Sequence, residues 1–390
     1  MNAIILAAGK SSRMYESGAN IPKGLMPILG IPNIERTVLM LHMLDIYEII
    51  IAVPAETQDF DYLYKKYSCT IIHIPSTNKN TLTTMNYLIP YIDDSFIIEG
   101  DVVCVKNIFR PFEYSTYYVM KYAYPESDEW NVITSSYDNI VGFEIGTHRS
   151  PAIFGISFWR HEDCPLLKKY IKTQMQSNNA VNSNFFWDNH IDELFKDICI
   201  KAYEISSDVA YEMNTFTEYQ YAIDLCKKMI SVPKKFFEDV LLRKNNAVYY
   251  IQHSGNKANN LQWLKKLFSH YHETLDGDTA SRYYDWYNPE ELVFAIKNNE
   301  NQEIAFFSFI IEKKFILLRR LFIDSSYRAV GIGKEIVKYL QLFTISSKKE
   351  LRANIYDEKV AVFYEHLGAT KLFSTYHWNL PEESKESDNE

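Results

Sequence analysis

Cysteine is scarce in this sequence, and the few cysteines form no pattern. There are five, an odd number, they are scattered along the chain, and no two of them stand in a CxxC pair. A domain that depends on disulfides normally has a paired set. We therefore expect the chain to work in a reducing compartment, the cytoplasm.

Long hydrophobic runs and an excess of positive charge are missing as well. No window reaches about 18 uncharged apolar residues, so no membrane span is expected. The N-terminal apolar run is too short for the core of a signal peptide and no basic region precedes it. The formal net charge of -9 argues against a broad nucleic-acid surface and favours small-molecule substrates, with any nucleotide held in a local basic pocket beside a metal ion. The oligomeric state stays open, a homo-oligomer included.

The length of 390 residues favours two domains, and a composition of 47% hydrophobic and 23% charged residues is that of an ordinary globular protein. We predict a first domain at 1–228 and a second at 247–380. Residues 229–246 contain a proline and a basic, polar run, which is typical of a helical linker. The last ten residues, PEESKESDNE, predict an acidic disordered tail at 381–390.

The first residues of the chain carry a pattern typical of phosphate binding. Ile4, Ile5 and Leu6 predict a short buried strand, and small residues follow it directly. Backbone N–H groups on such a turn can approach phosphate oxygens closely, because no large side chain intervenes. Hydroxyl donors, a planar guanidinium and a compact ammonium are added nearby. The predicted nucleotide-binding residues of this stretch are Leu6, Ala7, Ala8, Gly9, Ser11, Ser12, Arg13 and Lys23.

Further strands are predicted at 47–53, 71–74 and 95–98, with a helical pattern at 34–44. Alternating strands and helices predict a parallel, doubly wound sheet whose ligand lies at the carboxyl ends of the strands. Asp101 follows the third of these strands and Gly100, so its carboxylate is expected at that edge. Mg²⁺ is commonly held there by one or two carboxylates and substrate phosphates. A turn aspartate that binds local N–H groups is the alternative.

The run AAGKSSR, followed by Pro22–Lys23, resembles the AAGxGxR and PK signature of the nucleotidyltransferase superfamily with a Rossmann-like fold, with Ser11 where many members have the second glycine. Five segments resemble, more narrowly, the bacterial phosphocholine cytidylyltransferases and their 2-aminoethylphosphonate-using relatives, namely DVVCVKNIFR, STYYVMKYAYPESDEWNV, AIFGISFW, NFFWDNHIDELF and YEMNTFTEY. The resemblance implies a mixed, mainly parallel sheet over residues 1–228. It also implies Mg²⁺-dependent transfer of CMP from CTP to phosphocholine, phosphoethanolamine or 2-aminoethylphosphonate, with release of pyrophosphate.

The same resemblance implies roles for individual residues. The metal ligands would be Asp101 and Asn214, although an aspartate is usual at the second position and a neutral ligand holds the ion less tightly. Asn80 and Thr84 would contact the base. A cationic acceptor needs an aromatic face or a carboxylate, and suitable residues in the matching segments are Trp130, Phe186, Trp187 and Asp188. For any single aromatic residue, a place in the core is the competing interpretation.

The second half has a different pattern. Leu261, Leu264, Phe268 and Tyr271 fall close to helical spacing, and strand-like runs follow at 291–296, 303–311 and 315–323. A helix followed by successive strands predicts a separate α+β domain.

The stretch LRRLFIDSSYRAVGIGKEIVKYL predicts a strand, a glycine-containing turn and an amphipathic helix. Glycines at a helix start allow unpaired N–H groups to meet a pyrophosphate. The stretch resembles the RxxGxG acetyl-CoA signature of the GNAT-type N-acetyltransferases, and Asn354 and AVFYEHLGA match that superfamily's late strand and helix, except for Ala369, where an aromatic is usual. The residues implied in acetyl-CoA binding are Phe322, Ile323, Arg328, Val330, Gly331, Ile332, Gly333, Lys334 and Asn354.

Tyr364 would be the general acid that reprotonates the thiolate of CoA. The alternative is a purely structural apolar face formed by Val360, Phe363, Tyr364 and Leu367. The two interpretations are compatible, because a tyrosine can bury its ring and direct its hydroxyl to a ligand.

Two phosphate-binding signatures on two folds favour a bifunctional enzyme, a cytidylyltransferase joined to an N-acetyltransferase. Two other hypotheses stay open. The acceptor could be a sugar 1-phosphate, or the first domain could be a nucleotide-sensing module for a working acetyltransferase.

Overall fold

The computed structural model describes residues 1–378 except 10, 17–18, 76, 78–79, 122–128, 147–150, 183–184, 238, 245–246, 254–289, 356–357 and 373–374. The chain divides into two compact units, Met1–Lys227 and Lys228–Glu390. The helix predicted around residues 261–271 and the tail predicted at 381–390 lie outside the described residues. Within the described ranges, no helix is both long enough and apolar enough to cross a membrane.

The first unit contains strands and helices in alternation. Its strands are β1 Asn2–Leu6, β2 Pro27–Ile28, β3 Ile31–Pro32, β4 Ile49–Pro54, β5 Thr70–Ile74, β6 Ser95–Glu99, β7 Val102–Cys104, β8 Ser115–Met120, β9 Trp130–Thr134, β10 Ile140–Ile145, β11 Ala152–Trp159, β12 Ile200–Ile205 and β13 Ala210–Glu212. Its helices are α1 Ser12–Glu16, α2 Asn33–His42, α3 Tyr62–Tyr67, α4 Thr81–Leu88, α5 Cys164–Met175 and α6 Phe216–Ser231.

The main sheet has the order β10-β9-β11-β6-β1-β4-β5, and β8 joins it beside β11 with β12 beyond. β1 pairs in parallel with β4 and β6, and β4 with β5. These central strands are apolar on both faces because both faces are covered, as expected for parallel strands. The other half is mostly antiparallel, since β11 pairs with β6, β8 and β9 in that sense. The sheet is therefore mixed, and the expected parallel arrangement is found in the half that carries β1.

Gly100 brings two strand ends together. The register places Leu6 of β1 beside Glu99 of β6, and the Gly100 N–H donates to the Leu6 carbonyl at 2.9 Å. A Cβ on Gly100 would lie 2.9 Å from the same carbonyl oxygen and 3.1 Å from Ala7 Cα. Only glycine fits this approach. As a result, Asp101 lies directly beside the turn that follows β1.

The second unit contains one sheet and three described helices. Its strands are β14 Asp239–Lys244, β15 Ala247–His253, β16 Leu292–Lys297, β17 Glu303–Ile311, β18 Phe315–Ile323, β19 Glu350–Asn354, β20 Thr370–Leu372 and β21 Thr375–Trp378. The helices are α7 Pro233–Phe237, α8 Ile332–Ser346 and α9 Glu358–His366.

The strand order is β14-β15-β16-β17-β18-β19-β21-β20. Neighbouring strands are antiparallel except for β18 and β19, which are parallel and are connected through α8. An extra residue interrupts the β17–β18 register between Ser308 and Phe309. Pairing of β18 with β19 extends from Phe315 to Leu318 only. The carboxyl ends of the two parallel strands thus share one edge with the start of α8.

The structure corrects the prediction of a helical linker. Part of that segment is helical, in α7, but Asp239–Lys244 is a strand that pairs with β15 as the first strand of the second sheet. This strand was not predicted, because a basic and polar run lacks the alternation of a half-buried strand.

Candidate active site

A cavity of about 560 Å³ opens at the carboxyl ends of the parallel strands of the first unit. This is the edge at which ligands bind in doubly wound sheets. Most of the residues predicted from the sequence for this unit contribute to its wall, namely Leu6, Ala7, Ala8, Gly9, Arg13, Lys23, Thr84, Asp101, Trp130, Phe186, Trp187, Asp188 and Asn214. The structure thus brings together residues that are more than 200 positions apart in the sequence.

The turn after β1 approaches the cavity with its backbone. Ala7 donates to the Ala52 carbonyl at 2.8 Å, which anchors the turn to β4, and a Cβ on Gly9 would meet no atom within 4 Å. Ser11 has a φ of 51°, in the left-handed region that glycine adopts most readily. Its hydroxyl does not line the cavity but accepts a hydrogen bond from the Lys23 backbone N–H at 3.3 Å. The side chain of Ser12 lies outside the description.

Lys23 and Arg13 are each held by a polar partner at the cavity wall. The Lys23 ammonium forms an ion pair with Asp101 Oδ2, and Arg13 Nη2 donates to Asn214 Oδ1 at 2.9 Å. Asn214 is fixed in turn, because its backbone N–H donates to Glu218 Oε2 at 2.8 Å. The arrangement places two cations, one carboxylate and one amide oxygen together, as the chemistry of a nucleoside triphosphate requires.

Asp101 has one oxygen without a partner. The side chain is buried, Oδ2 faces Lys23, and Oδ1 has no hydrogen-bond partner in the described part of the chain. A buried, unpaired carboxylate oxygen is costly unless a ligand or ion uses it. The described residues contain no group of three or more His, Cys, Asp or Glu side chains arranged to hold a metal ion. Mg²⁺ does not need one, because substrate phosphates and water complete its shell.

Four ionisable residues of the cavity wall were missed from the sequence, namely Glu99, Tyr117, Glu129 and Glu212. Glu99 ends β6 two residues before Asp101, so the strand-end argument could have found it. Glu212 lies opposite Val102 in the β13–β7 pair, and its Oε1 accepts from the Gly155 N–H at 3.0 Å. No local pattern indicated Glu212, because strand pairing over a hundred residues brings it there.

The carboxyl groups of this wall perturb one another. Burial raises the pKa of Glu99 well above its usual value, and the nearby Asp101 and Glu212 carboxylates add to the shift. Burial likewise raises the pKa of Glu212 to about 8, with Asp101 contributing. Both shifts favour the protonated form of these carboxyl groups.

The other end of the cavity carries Asp188 and several aromatic residues. Burial raises the pKa of Asp188 to about 6, while a hydrogen bond from Tyr117 Oη, 3.4 Å from Asp188 Oδ2, acts in the opposite direction. Trp187 is only 3% exposed and its ring packs edge-on against Trp159, with 6.2 Å between ring centroids. Most of the Trp187 ring therefore lies in the core, which is the competing interpretation, although part of the residue lines the cavity.

Asn80 and Thr84, the residues predicted to contact the base, have different positions. Thr84 lines the cavity. Asn80 does not, because its side chain caps α4 by accepting from the Thr83 N–H at 2.9 Å and donates to the carbonyls of Asn179 and Asn182. Thr81, in the first turn of the same helix, is a wall residue that the sequence did not single out.

In the second unit, the residues predicted to bind acetyl-CoA lie at the end of β18, the start of α8 and the end of β19. Gly331 begins α8 with a φ of 107°, and a Cβ on Gly333 would lie 3.0 Å from Ile323 Cδ1 and 3.2 Å from Phe363 Cζ. Tyr364 is 5% exposed, and burial raises its pKa. Its ring is therefore buried, as the structural interpretation of α9 predicted, whereas Val360 of the same predicted face is 41% exposed.

The fold and cavity of the first unit are those of a nucleotidyltransferase. Residues 3–109 match the family model of the MobA-like NTP transferase domain. The choline-phosphate cytidylyltransferase of Haemophilus influenzae is 30% identical over 224 residues, which cover 57% of this chain and 96% of the relative. The chain therefore belongs to the nucleotidyltransferase family that includes the bacterial cytidylyltransferases.

Two further comparisons agree with this assignment. The 2-aminoethylphosphonate cytidylyltransferase of Lancefieldella rimae is 22% identical over 222 residues, covering 56% of this chain and 89% of the relative. A solved structure of the CTP:phosphocholine cytidylyltransferase of Streptococcus pneumoniae superposes with a TM-score of 0.51 at 24% identity, covering 57% of this chain and 98% of that one. The second similarity concerns the fold alone.

Proposed function

We propose that the first unit transfers CMP from CTP to a small phospho- or phosphono-amino alcohol, of the type of phosphocholine, phosphoethanolamine or 2-aminoethylphosphonate. The observation that carries the proposal is the convergence of Arg13, Lys23 and a buried Asp101 on one cavity of about 560 Å³, beside the turn after β1. A cavity of this size suits a nucleotide. The similarity to choline-phosphate and 2-aminoethylphosphonate cytidylyltransferases supports the choice of CTP and of this acceptor class.

In this reaction, an oxygen of the acceptor's phosphate or phosphonate attacks the α-phosphorus of CTP. The bond from that phosphorus to the bridging oxygen breaks, and pyrophosphate leaves. Lys23 and Arg13 stabilise the negative charge that develops on the α-phosphate and the leaving group. Both side chains already lie at the cavity wall, where Asp101 holds Lys23 and Asn214 holds Arg13. When the nucleotide binds, its phosphate oxygens replace these partners.

The wall also fits Mg²⁺. Asp101 has a buried oxygen without a partner in the described part of the chain, and Asn214 presents an amide oxygen on the same wall. These two residues would hold the ion, which would neutralise charge across the phosphate oxygens when bound. Because Asn214 is neutral, the protein alone binds the ion weakly and depends on the nucleotide's phosphates to complete the site.

A pyrophosphate-release assay tests the proposal. Wild-type protein is incubated with CTP, UTP or dTTP and with each amino-alcohol phosphate, 2-aminoethylphosphonate and a series of sugar 1-phosphates. We expect turnover with CTP and an amino-alcohol acceptor, and a fall in kcat/KM of about 100-fold or more for Lys23→Ala, since it removes charge stabilisation in the transition state. Lys65→Ala, on the exposed side of α3, is the matched control.

The same assay separates the other hypotheses. Turnover with a sugar 1-phosphate alone would replace the proposed acceptor. If no combination of nucleotide and acceptor is turned over by protein that still binds CTP, a nucleotide-sensing role is favoured.

A second activity, acetyl transfer from acetyl-CoA to a primary amine, is proposed for the second unit. Its support is the sequence signature together with the position of the signature at the shared carboxyl edge of β18 and β19, where α8 begins with Gly331 in a left-handed conformation. The unpaired N–H groups of such a helix start can bind a pyrophosphate. Tyr364 would then be the general acid. Acetyl-CoA consumption with amine acceptors, in wild type and in Tyr364→Phe, tests this activity.

A further inference from the structure

Asp188 stands apart from the phosphate-binding residues of the cavity. It lies in the turn after Trp187. Its hydrogen-bond donors in the described part of the chain are its own backbone N–H and Tyr117 Oη, the latter at the long distance of 3.4 Å. The ionisable side chains that face it are acids, Glu99 among them, and no lysine or arginine in the described ranges pairs with it. A buried carboxylate at the wall of a cavity, with no cation beside it, is completed by a cationic ligand.

The aromatic residues around Asp188 do not form a box of exposed faces. Trp187 is 3% exposed and packed against Trp159, while the Trp130 ring packs against Phe143 at 5.7 Å. Phe186 is 54% exposed and presents the most accessible ring of this wall. A quaternary ammonium is recognised mainly by several aromatic faces around its methyl groups, since it has no N–H to donate.

Hydrogen-bond acceptors are present instead. The carboxylate of Asp188 and the hydroxyl oxygen of Tyr117 both line the cavity. A primary ammonium has three N–H donors and needs acceptors of this kind, whereas each methyl group added to the nitrogen removes one donor. The more N–H groups the nitrogen of an acceptor carries, the more hydrogen bonds it can therefore form with this wall.

We infer that Asp188 selects an acceptor whose nitrogen is a primary ammonium over one whose nitrogen is quaternary. The inference rests on the proposed cytidylyltransferase function and narrows its acceptor class. It also has a consequence for the order of reactions, because the CMP-linked product then keeps a free amine that a subsequent acyl-transfer reaction can use. A product with a trimethylated nitrogen could not be acylated.

An N-methyl series tests the inference in the intact chain. Phosphoethanolamine, its N-methyl and N,N-dimethyl derivatives, and phosphocholine share one phosphate and differ in having three, two, one or no N–H groups. We expect kcat/KM with CTP to fall along the series, by about 100-fold or more overall, because a site built to hydrogen-bond rejects an analogue that lacks the donor. The dimethyl compound has nearly the bulk of phosphocholine but keeps one N–H, so a drop between these two identifies hydrogen bonding rather than size.

Asp188→Asn tests the residue. The variant keeps the shape of the side chain, and we expect the ratio of kcat/KM for phosphoethanolamine to that for phosphocholine to fall by about tenfold or more, since loss of one partner of a charged hydrogen bond weakens binding strongly. Asp192→Asn, an exposed position outside the cavity, makes the same change of charge and is expected to keep the wild-type ratio. Tyr117→Phe gives a second readout if Asp188→Asn folds poorly, with a smaller loss of the same ratio.

The outcomes are distinct from those that test the proposed function. Equal or better turnover with phosphocholine than with phosphoethanolamine would overturn this inference and leave the cytidylyltransferase function intact. An Asp188→Asn variant that loses activity with all four acceptors in equal proportion would show that Asp188 does not select between them. No turnover with any of the four acceptors or with 2-aminoethylphosphonate would instead reject the proposed function itself.

Discussion

At the scale of single residues, Asp101 is the side chain whose two oxygens have different tasks. Oδ2 pairs with Lys23, and Oδ1 is buried without a partner in the described part of the chain. One carboxylate thus holds the Lys23 ammonium and keeps a second oxygen that the proposed ion would use. Removing its charge should therefore affect metal binding and lysine placement together.

We predict that Asp101→Asn weakens divalent-metal binding by about tenfold or more, because even the loss of outer-shell partners of a metal site costs about 10–100-fold. Titration of Mn²⁺ by electron paramagnetic resonance, with and without CTP, measures the affinity directly. Asp138→Asn, at an exposed position outside the cavity, is the control. Unchanged Mn²⁺ affinity in Asp101→Asn would remove this residue from the metal site.

A second prediction at this scale concerns pH. Burial raises the pKa of Asp188 from the usual value of 3.8 to about 6, so the side chain is ionised above pH 6 and becomes neutral below it. The groups facing it are Tyr117 from β8, Glu99 from β6 and Tyr170 from α5. We expect kcat/KM for a primary-amine acceptor to fall as the pH is lowered through about 6, as the carboxylate that binds the ammonium is protonated.

The acceptor's own phosphate also titrates near pH 6. Asp188→Asn is therefore measured beside the wild type from pH 5 to 8, because the substrate's titration is common to both and only the wild type adds the residue's own. Superimposable profiles would contradict the prediction.

At the scale of elements, the contact between β1 and β6 decides where the turn after β1 lies. Gly100 makes this contact by its backbone, with 2.9 Å from its N–H to the Leu6 carbonyl, and leaves no room for a side chain. The turn after β1 and the loop that carries Asp101 are thus held together by a glycine that is not itself a catalytic group.

We predict that Gly100→Ala lowers the free energy of unfolding of the first unit by about 1–3 kcal/mol, since a Cβ would overlap with backbone atoms that cannot move independently. The urea concentration at which pyrophosphate release is lost measures the effect. Gly142→Ala is the matched control, because its Cβ would make an ordinary contact at 3.6 Å with Ile133 Cδ1. Equal urea sensitivity of the two variants would show that the Gly100 turn adapts.

At the scale of the whole molecule, the chain carries two units with separate sheets and separate sets of predicted substrate residues. Each set belongs to one unit. The two proposed activities should therefore be separable by single substitutions in the intact chain, even if they act in sequence on one compound.

We predict that Lys23→Ala lowers kcat/KM for pyrophosphate release by about 100-fold or more and leaves acetyl transfer to a free amine unchanged. Tyr364→Phe should lower acetyl transfer and leave pyrophosphate release unchanged. Both variants are assayed for both activities under one set of conditions, with the CMP-linked amine as an additional acetyl acceptor. Loss of acetyl transfer in Lys23→Ala would contradict the separation. No acetyl transfer by wild type to either amine would remove the second activity.

The sequence by itself determined the parts of the site that are local. The turn after β1 is formed by contiguous residues, and Asp101 is found by the rule that ligands meet the carboxyl ends of parallel strands. The run that leads into α8 is likewise continuous, and its predicted amphipathic helix is present, with Ile336 and Leu340 buried. In each case the predicted residues lie within one strand, one turn and one helix, so the short-range sequence pattern is sufficient to predict them.

Tertiary structure decided the rest. Glu212 enters the cavity through strand pairing with Val102, Asn80 donates to the carbonyls of Asn179 and Asn182 instead of lining the cavity, and most of the Trp187 ring is packed against Trp159. Asp239–Lys244 is a strand because it pairs with β15, and the composition of this segment alone does not predict that pairing. The physical reason is the same in all four cases. Backbone pairing and burial between segments far apart in the chain fix which atoms face a cavity. A residue's type and its immediate neighbours do not determine which atoms these are.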